Sequence, residues 1–405
     1  MTTREVTWTG ANARTLERQG LSTPASGSPA GPPPGDPAGP AADGALPGSP
    51  AGVTAAMLGA HAQVLSAAEL SVATRLGGGA TRTTVRDALW KEGSLVKTYG
   101  PRGTVHLLAR EDLPMWTGAL SAIPGGRATA PGPAGMSDEQ TEQVVEAIGD
   151  ALHGTSLTVD ELTDAIVERT GSWAGDPVME AFQTLWPRWR QVTHLAAHRG
   201  VLAFGPNKGR KAAYTNPEIT PLDGPAALDE LVRRYLVAYG PATPAHFAKW
   251  LAAPKGWANS VFTASAEQGL IEEVAYEGER AWIAAGDGSF PRAAPSGVRL
   301  LPYFDAYTIA SQPRELLFAG SAYRRALAGG QAGNYPVVLV DGTVRGVWHQ
   351  KRSGKRIAVT VEPIGDELER SRNRRELAEQ VERVGMILEG TAELTVGEVT
   401  VGAHA

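Results

Sequence analysis

Three times along this chain, apolar positions at helical spacing give way to a pair of short runs of the kind that form strands. In the first block, residues 54–108, Ser66 is followed three positions later by Glu69 and then by an apolar-periodic run. That is the capping-box pattern, and it predicts a helix starting just after Ser66 and ending near Gly77-Gly78-Gly79. Thr83 or Thr84 caps a second helix over 85–92, stopped by Gly93, and strands over 94–99 and 104–108 flank the turn Gly100-Pro101-Arg102-Gly103. The second block predicts a helix over 138–152, another from Thr158 with Asp160 and Glu161 in its first turn, and a Trp-bearing helix over 178–199. Trp186 and Trp189 on that helix read as core residues. Runs at 201–204 and 212–215 then flank a turn. The third block predicts helices over 228–239, 245–251 and 259–268, then strands over 271–276 and 280–284. Helices followed by a two-stranded wing make a winged helix.

From Val298 the texture changes to short β-rich runs at 298–303, 335–340, 344–350 and 357–363. Asp341-Gly342 is a two-residue hairpin signal, and Ser353-Gly354 marks another turn. A polar helix over 366–388 and a last strand near 394–401 close the pattern. The fold class is therefore α+β: three tandem winged-helix units and a C-terminal small β-barrel or sheet. The expected boundaries are 1–120, 121–222, 223–297 and 298–405. Residues 22–52 interrupt the first unit. They are rich in Pro, Gly, Ala and Ser, carry two acids and have almost nothing to bury, which predicts a disordered or polyproline-like insert after a short helix over 11–21.

Composition narrows the function classes. With 405 residues and 42% hydrophobic content the chain has material for several cores. The absence of cysteine excludes disulfide scaffolds, Cys nucleophiles, iron–sulfur clusters and thiolate zinc sites. His194 and His198 stand four apart but lack the further ligands of a metal site, so no metal is expected. No membrane-spanning run and no secretory h-region are evident, so a cytoplasmic location is the default expectation. Nothing resembles a heptad seam, and a monomer is expected. The net charge of −5 is not that of a compact basic nucleic-acid binder, so local clusters must carry any such claim. From 186 to 211 lie Arg188, Arg190, Arg199, Lys208, Arg210 and Lys211 without an acid; from 343 to 356 lie Arg345, Lys351, Arg352, Lys355 and Arg356, again without one. Arg102 sits in the first wing turn. Such residues neutralise phosphates and make binding salt-dependent; the competing reading is a solvated charged turn.

The candidate chemistry lies in Ala60-His61-Ala62-Gln63-Val64. Positions i and i+2 share a side in an extended segment but lie ~200° apart on a helix. Because His61 and Gln63 precede the helix start, they can project together. An imidazole and a carboxamide can hold one water between them, and the imidazole can take its proton. A packed histidine beside a surface glutamine is the alternative.

Residues 13–21 (ARTLERQGL), the segment GAHAQV at 59–64, TYGPRGTVHL at 98–107, YGPATPAHFAKWL at 239–251, LLPYFDAY at 300–307 and YPVVLVDGTVRGVW at 335–348 together resemble the AlkZ-like, YcaQ-related winged-helix DNA glycosylases over nearly the whole chain. The resemblance implies tandem winged helices and a β-barrel around a concave DNA channel. It implies hydrolysis of the N-glycosidic bond of alkylated purines in double-stranded DNA, with no cofactor. The family motif is Gln-apolar-Gln; here His61, Ala62 and Gln63 place the chain in a His-apolar-Gln branch, with His61 and Gln63 as catalytic residues. The barrel hairpin with Lys351, Arg352, Lys355 and Arg356 becomes the natural DNA contact, joined by Arg102, Lys208, Arg210 and Lys211. Asp305 lies in a matching stretch and reads first as structural. The resemblance also suggests self-resistance to DNA-alkylating natural products and action on bulky adducts or crosslinks. A non-catalytic tandem winged-helix regulator or damage sensor is the main competing function, and a small-molecule binding protein the second.

Overall fold

Thr7 accepts a hydrogen bond from the Gly10 amide and so opens the helix Trp8–Arg18, whose inner face carries Ala11, Ala13 and Leu16. The computed structural model describes residues 4–22, 48–124, 134–181, 184–327 and 329–403. Most of the expected insert, 23–47, lies outside the described residues; its last part does not follow the expectation, because Ser49 caps a helix, Pro50–Ala56. Proline at the first helical position loses no hydrogen bond, which explains how so Pro-rich a stretch starts a helix.

The chain divides into two compact units, Met1–Arg86 with Tyr235–His246 and Ile271–Ala405, and Asp87–Arg234 with Phe247–Leu270. The first unit holds two sheets. In one, the strand Arg4–Val6 runs parallel to Ile271–Tyr276, which pairs antiparallel with Glu279–Ala284. The other has five strands in the order Val298–Leu301, Val337–Val340, Thr343–Ser353, Arg356–Pro363 and Thr391–Val396. Asp341 and Gly342 both have positive φ (49° and 78°), as the tight hairpin turn requires. The last strand runs parallel to its neighbour, and the helix Ser371–Ile387 supplies the crossover that a parallel pair needs. Leu16 and Leu21 pack with Leu301, Tyr307, Phe318 and Val347, so the N-terminal helix completes the core of the C-terminal sheet. Arg14 and Arg18 anchor it: both guanidiniums reach Asp287, and Arg14 also donates to the Gly240 carbonyl at 2.9 Å.

The second unit is built on a sheet in the order Val105–Ala109, Leu95–Tyr99, Ala203–Lys208, Lys211–Thr215 and Ser156–Thr158. Ser137 with Gln140 and Thr158 with Glu161 form reciprocal capping boxes that open the helices Asp138–Leu152 and Val159–Thr170. Val144, Ile148 and Leu152 recur at helical spacing and meet Leu162, Ile166, Trp189 and Tyr214 in one core.

Two expected elements differ. The helix expected over 178–199 is instead a hairpin of Pro177–Ala181 and Thr184–Pro187, a 3-10 turn Arg188–Val192 and a short helix Thr193–His198. Pro187 has no amide proton to donate and pushes Trp186 toward extended backbone, so the helix cannot run through it. Trp189 is fully buried, but Trp186 is 40% exposed under the Arg190 guanidinium at 3.8 Å. The helix expected just after Ser66 begins at Leu65 with Val64 as its cap residue, and no side chain caps it. Glu69 is buried and paired with Arg86 at 2.6 Å, a charged partner that a single backbone amide does not outbid.

His198, partly buried in the second unit, yields a pH prediction. Burial pulls its imidazole down to about 4, His194 adds to the effect, and the Gly100 backbone partly opposes it. The unfolded chain titrates near 6.5, so above that pH both states are neutral and the contribution is complete; it is lost as pH falls from about 6.5 toward 4. The loss amounts to roughly 3 kcal/mol at the acid end. Urea midpoints measured from pH 7 to pH 4 are expected to fall more steeply for the native chain than for His198→Gln. Parallel slopes would show that this imidazole is not buried neutral.

Candidate functional site

The segment that carries the His-Ala-Gln sequence is extended at Ala60–His61 and bends before the helix Leu65–Leu76. Ala60 and Ala62 are completely buried, which fixes the backbone on both sides of His61. The imidazole is 8% exposed and lies against the Phe304 ring, with centroids 4.4 Å apart and planes tilted by 32°. Gln63 faces solvent, and Val64 beside it is also exposed. The structure thus keeps both residues ahead of the helix but gives them different surroundings: a packed imidazole and an open carboxamide.

Phe304 belongs to the turn that follows the strand Val298–Leu301, and its φ of 53° is left-handed. Its amide donates to the Gly333 carbonyl at 2.8 Å. The next residue, Asp305, is buried and fully committed. It accepts from both terminal nitrogens of Arg75 (2.7 and 2.8 Å), from the Ser71 hydroxyl (2.7 Å) and from the Tyr307 amide (3.0 Å). Arg75 and Asp305 have no side-chain exposure at all. Ser71 and Arg75 lie on the helix that begins just after Gln63. A buried ion pair therefore ties the Phe304 turn to the helix that follows His61 and Gln63. Sequence reading missed Arg75 and Phe304. A buried-pair role is visible only once both partners are placed, although Asp305 at a strand end was the available signal.

The basic candidates separate by their partners. Lys351, Arg352, Lys355 and Arg356 are all exposed on a hairpin in which Ser353 faces Arg356 and Lys351 faces Ala358. Arg352 folds back, donating to the Leu388 carbonyl at 2.6 Å and the Gly354 carbonyl at 2.9 Å, so it braces the hairpin on the C-terminal end of the long helix. Arg356 pairs with Glu393 at 3.0 Å. Lys351 and Lys355 have no carboxylate partner among the described residues. Partial burial, with the Lys351 charge adding to it, holds the His349 imidazole below its ordinary value.

The cluster at 186–211 is free of acids only in sequence. Arg188 meets Asp176, Arg199 meets Glu142, Lys208 meets Glu161 at 3.0 Å and Lys211 meets Asp160 at 2.5 Å. The Thr158 backbone amide and Lys208 pull the Glu161 carboxyl down to about 2. Arg210 is exposed, with no ion-pair partner among the described residues. Arg102 has a left-handed φ of 62° and donates to the Trp250 carbonyl at 2.7 Å. A cavity of about 500 Å³ in the second unit is lined by Glu142, Glu146, Asp150, His153 and Arg199, a carboxylate-rich wall that repels phosphate. His194 and His198 meet edge to face at 5.9 Å between centroids, and no group of three or more metal-binding side chains occurs among the described residues.

Residues 54–386 match the family of AlkZ-like DNA glycosylases. An interstrand DNA cross-link repair glycosylase from Streptomyces sahachiroi is 30% identical over 308 residues, covering 73% of this chain and 81% of that protein. The solved structure of the Streptomyces sahachiroi DNA glycosylase AlkZ aligns with a TM-score of 0.75 at 24% identity, covering 97% of this chain and all of that one. That likeness is one of fold.

Proposed function

The chain belongs to the family of AlkZ-like DNA glycosylases, and from that premise we propose that it hydrolyses the N-glycosidic bond of purines alkylated at ring nitrogen seven, including bulky adducts and interstrand crosslinks. The observation that carries this reading is the placement of His61 and Gln63. Both lie on the short segment ahead of the Leu65–Leu76 helix, the imidazole seated on Phe304 and the carboxamide open to solvent.

A 7-alkylated purine carries positive charge and is already a good leaving group. Cleavage moves the C–N bonding electrons onto the base and neutralises it, while the sugar passes through an oxocarbenium-like state. The protein then needs to deliver a water and stabilise developing positive charge. In this reading His61 accepts the proton of the attacking water, and Gln63 holds that water by hydrogen bonding. The products are a free base and an abasic site. No lysine enters the chemistry, so the strand is not cut.

Duplex affinity is assigned to Arg102, Lys208, Arg210, Lys211, Lys351, Arg352, Lys355 and Arg356. Lys351, Lys355 and Arg210 are the members held by neither an ion pair nor a backbone carbonyl among the described residues. We read the chain as three winged-helix units and a C-terminal sheet acting as a monomer, and its biological role as self-resistance to a genotoxic alkylating natural product. The test is incubation with duplexes carrying 7-methylguanine, a panel of bulky 7-alkylguanine adducts and an interstrand crosslink, followed by cleavage at abasic sites. Release from at least one substrate is expected. Absence of release from every one, under conditions where the duplex is bound, overturns the reading.

A further inference from the structure

We propose that Phe304 is a positioning residue for the reaction, holding the His61 imidazole in the orientation that receives the water's proton, and that the Arg75–Asp305 pair locks it there. The inference rests on the catalytic reading of His61 and goes beyond it by assigning the residue that orients the base. Three observations meet at this point. The Phe304 ring lies 4.4 Å from the imidazole, close enough to restrict its rotation. Phe304 occupies left-handed backbone (φ 53°), which is disfavoured for a bulky side chain and persists only where the surroundings over-determine it. Those surroundings are present: the Phe304 amide is held by the Gly333 carbonyl, and Asp305 is clamped by Arg75, Ser71 and the Tyr307 amide.

Gly333 itself is part of the device. Its φ is 96°, and a Cβ there would sit 3.1 Å from the Phe304 Cα, so the close approach of the two backbones needs a glycine. An aromatic residue that merely filled the core would be fully buried in unstrained backbone. Phe304 is neither; it is partly exposed, outside the buried cluster that contains Tyr307 and Phe318, and stacked on the one histidine of the motif.

The experiment compares Phe304→Leu, Phe304→Gly and Phe304→Tyr in the full chain. Single-turnover release and duplex Kd are measured on whichever substrate the panel identifies. Leucine keeps bulk but removes the ring; glycine removes the ring and suits the left-handed backbone, so its loss of rate cannot be laid to backbone strain; tyrosine restores the ring. The Leu and Gly variants are expected to release base roughly tenfold to a hundredfold more slowly with Kd unchanged within about twofold, and Tyr to recover most of the rate. The ring protons of His61, read by NMR in selectively labelled protein, should lose their ring-current shift in Leu and Gly and regain it in Tyr. Unchanged rates in Leu and Gly overturn the proposal, as does a rate loss that tracks weakened duplex binding. Full release by His61→Ala with Gln63→Ala is a separate outcome that removes the catalytic reading itself.

Discussion

Alanine at both His61 and Gln63 is expected to abolish base release from the damaged duplex while leaving duplex binding within about twofold. General-base delivery of a proton-bearing nucleophile typically contributes about 10²- to 10⁴-fold, and groups that act on one water are not additive. Each single alanine should therefore cost nearly as much as the pair. The control is His61→Gln, which recreates two amides at the motif positions and retains hydrogen bonding to water but not proton acceptance. It is expected to retain more activity than His61→Ala but less than the native chain. The measurement is single-turnover release of adducted base with piperidine-free detection of the abasic strand. Undiminished release by the double alanine variant would refute the assignment. The flanking Ala60 and Ala62 are fully buried and hold the backbone on both sides, while His61→Ala also removes the contact of the imidazole with Phe304.

Arg75→Met is expected to destabilise the first unit by about 3–5 kcal/mol, because it strands the Asp305 carboxylate in an environment with no exposure. Ser71 and the Tyr307 amide still donate to that carboxylate, but two neutral donors do not replace a bidentate guanidinium. Asp305→Leu should cost a comparable amount by stranding the guanidinium, whose remaining acceptors are the Ser71 carbonyl and hydroxyl and the Gln19 side chain. The double variant Arg75→Met with Asp305→Leu is expected to cost less than the sum of the singles, since removing both charges removes the desolvation penalty as well. Urea unfolding of the four proteins closes this cycle. Additive losses would mean that the two side chains do not act as a pair. The variants should also release base more slowly than their stability at assay temperature explains, because the turn that carries Phe304 loses its clamp.

Much of the fold was legible where local chemistry decides it. Thr158 and Glu161 announce the helix Val159–Thr170 because the cap satisfies amides only three residues away. Asp341-Gly342 announces a hairpin because left-handed backbone is cheapest for those residues. The identical type of reasoning failed at Ser66, where Glu69 turned to Arg86, and at 178–199, where prolines at 177 and 187 won over helical periodicity. The strand Arg4–Val6 carried no local signal, since its parallel partner Ile271–Tyr276 lies in a distant part of the chain.

The same division runs through the site. The order of residues by itself determined that His61 and Gln63 precede a helix, that lysines and arginines crowd the 351–356 hairpin, and that the chemistry uses no thiol. Only the tertiary structure decided that Asp160 and Glu161 neutralise Lys211 and Lys208, that Arg352 is spent on a carbonyl, and that Phe304 sits on the imidazole. The physical reason is range. Caps, turns and helical periodicity act within a few residues and are written in neighbouring letters. Ion pairing, desolvation and ring stacking depend on which distant side chains share a few ångströms of space, and the packed fold alone determines that.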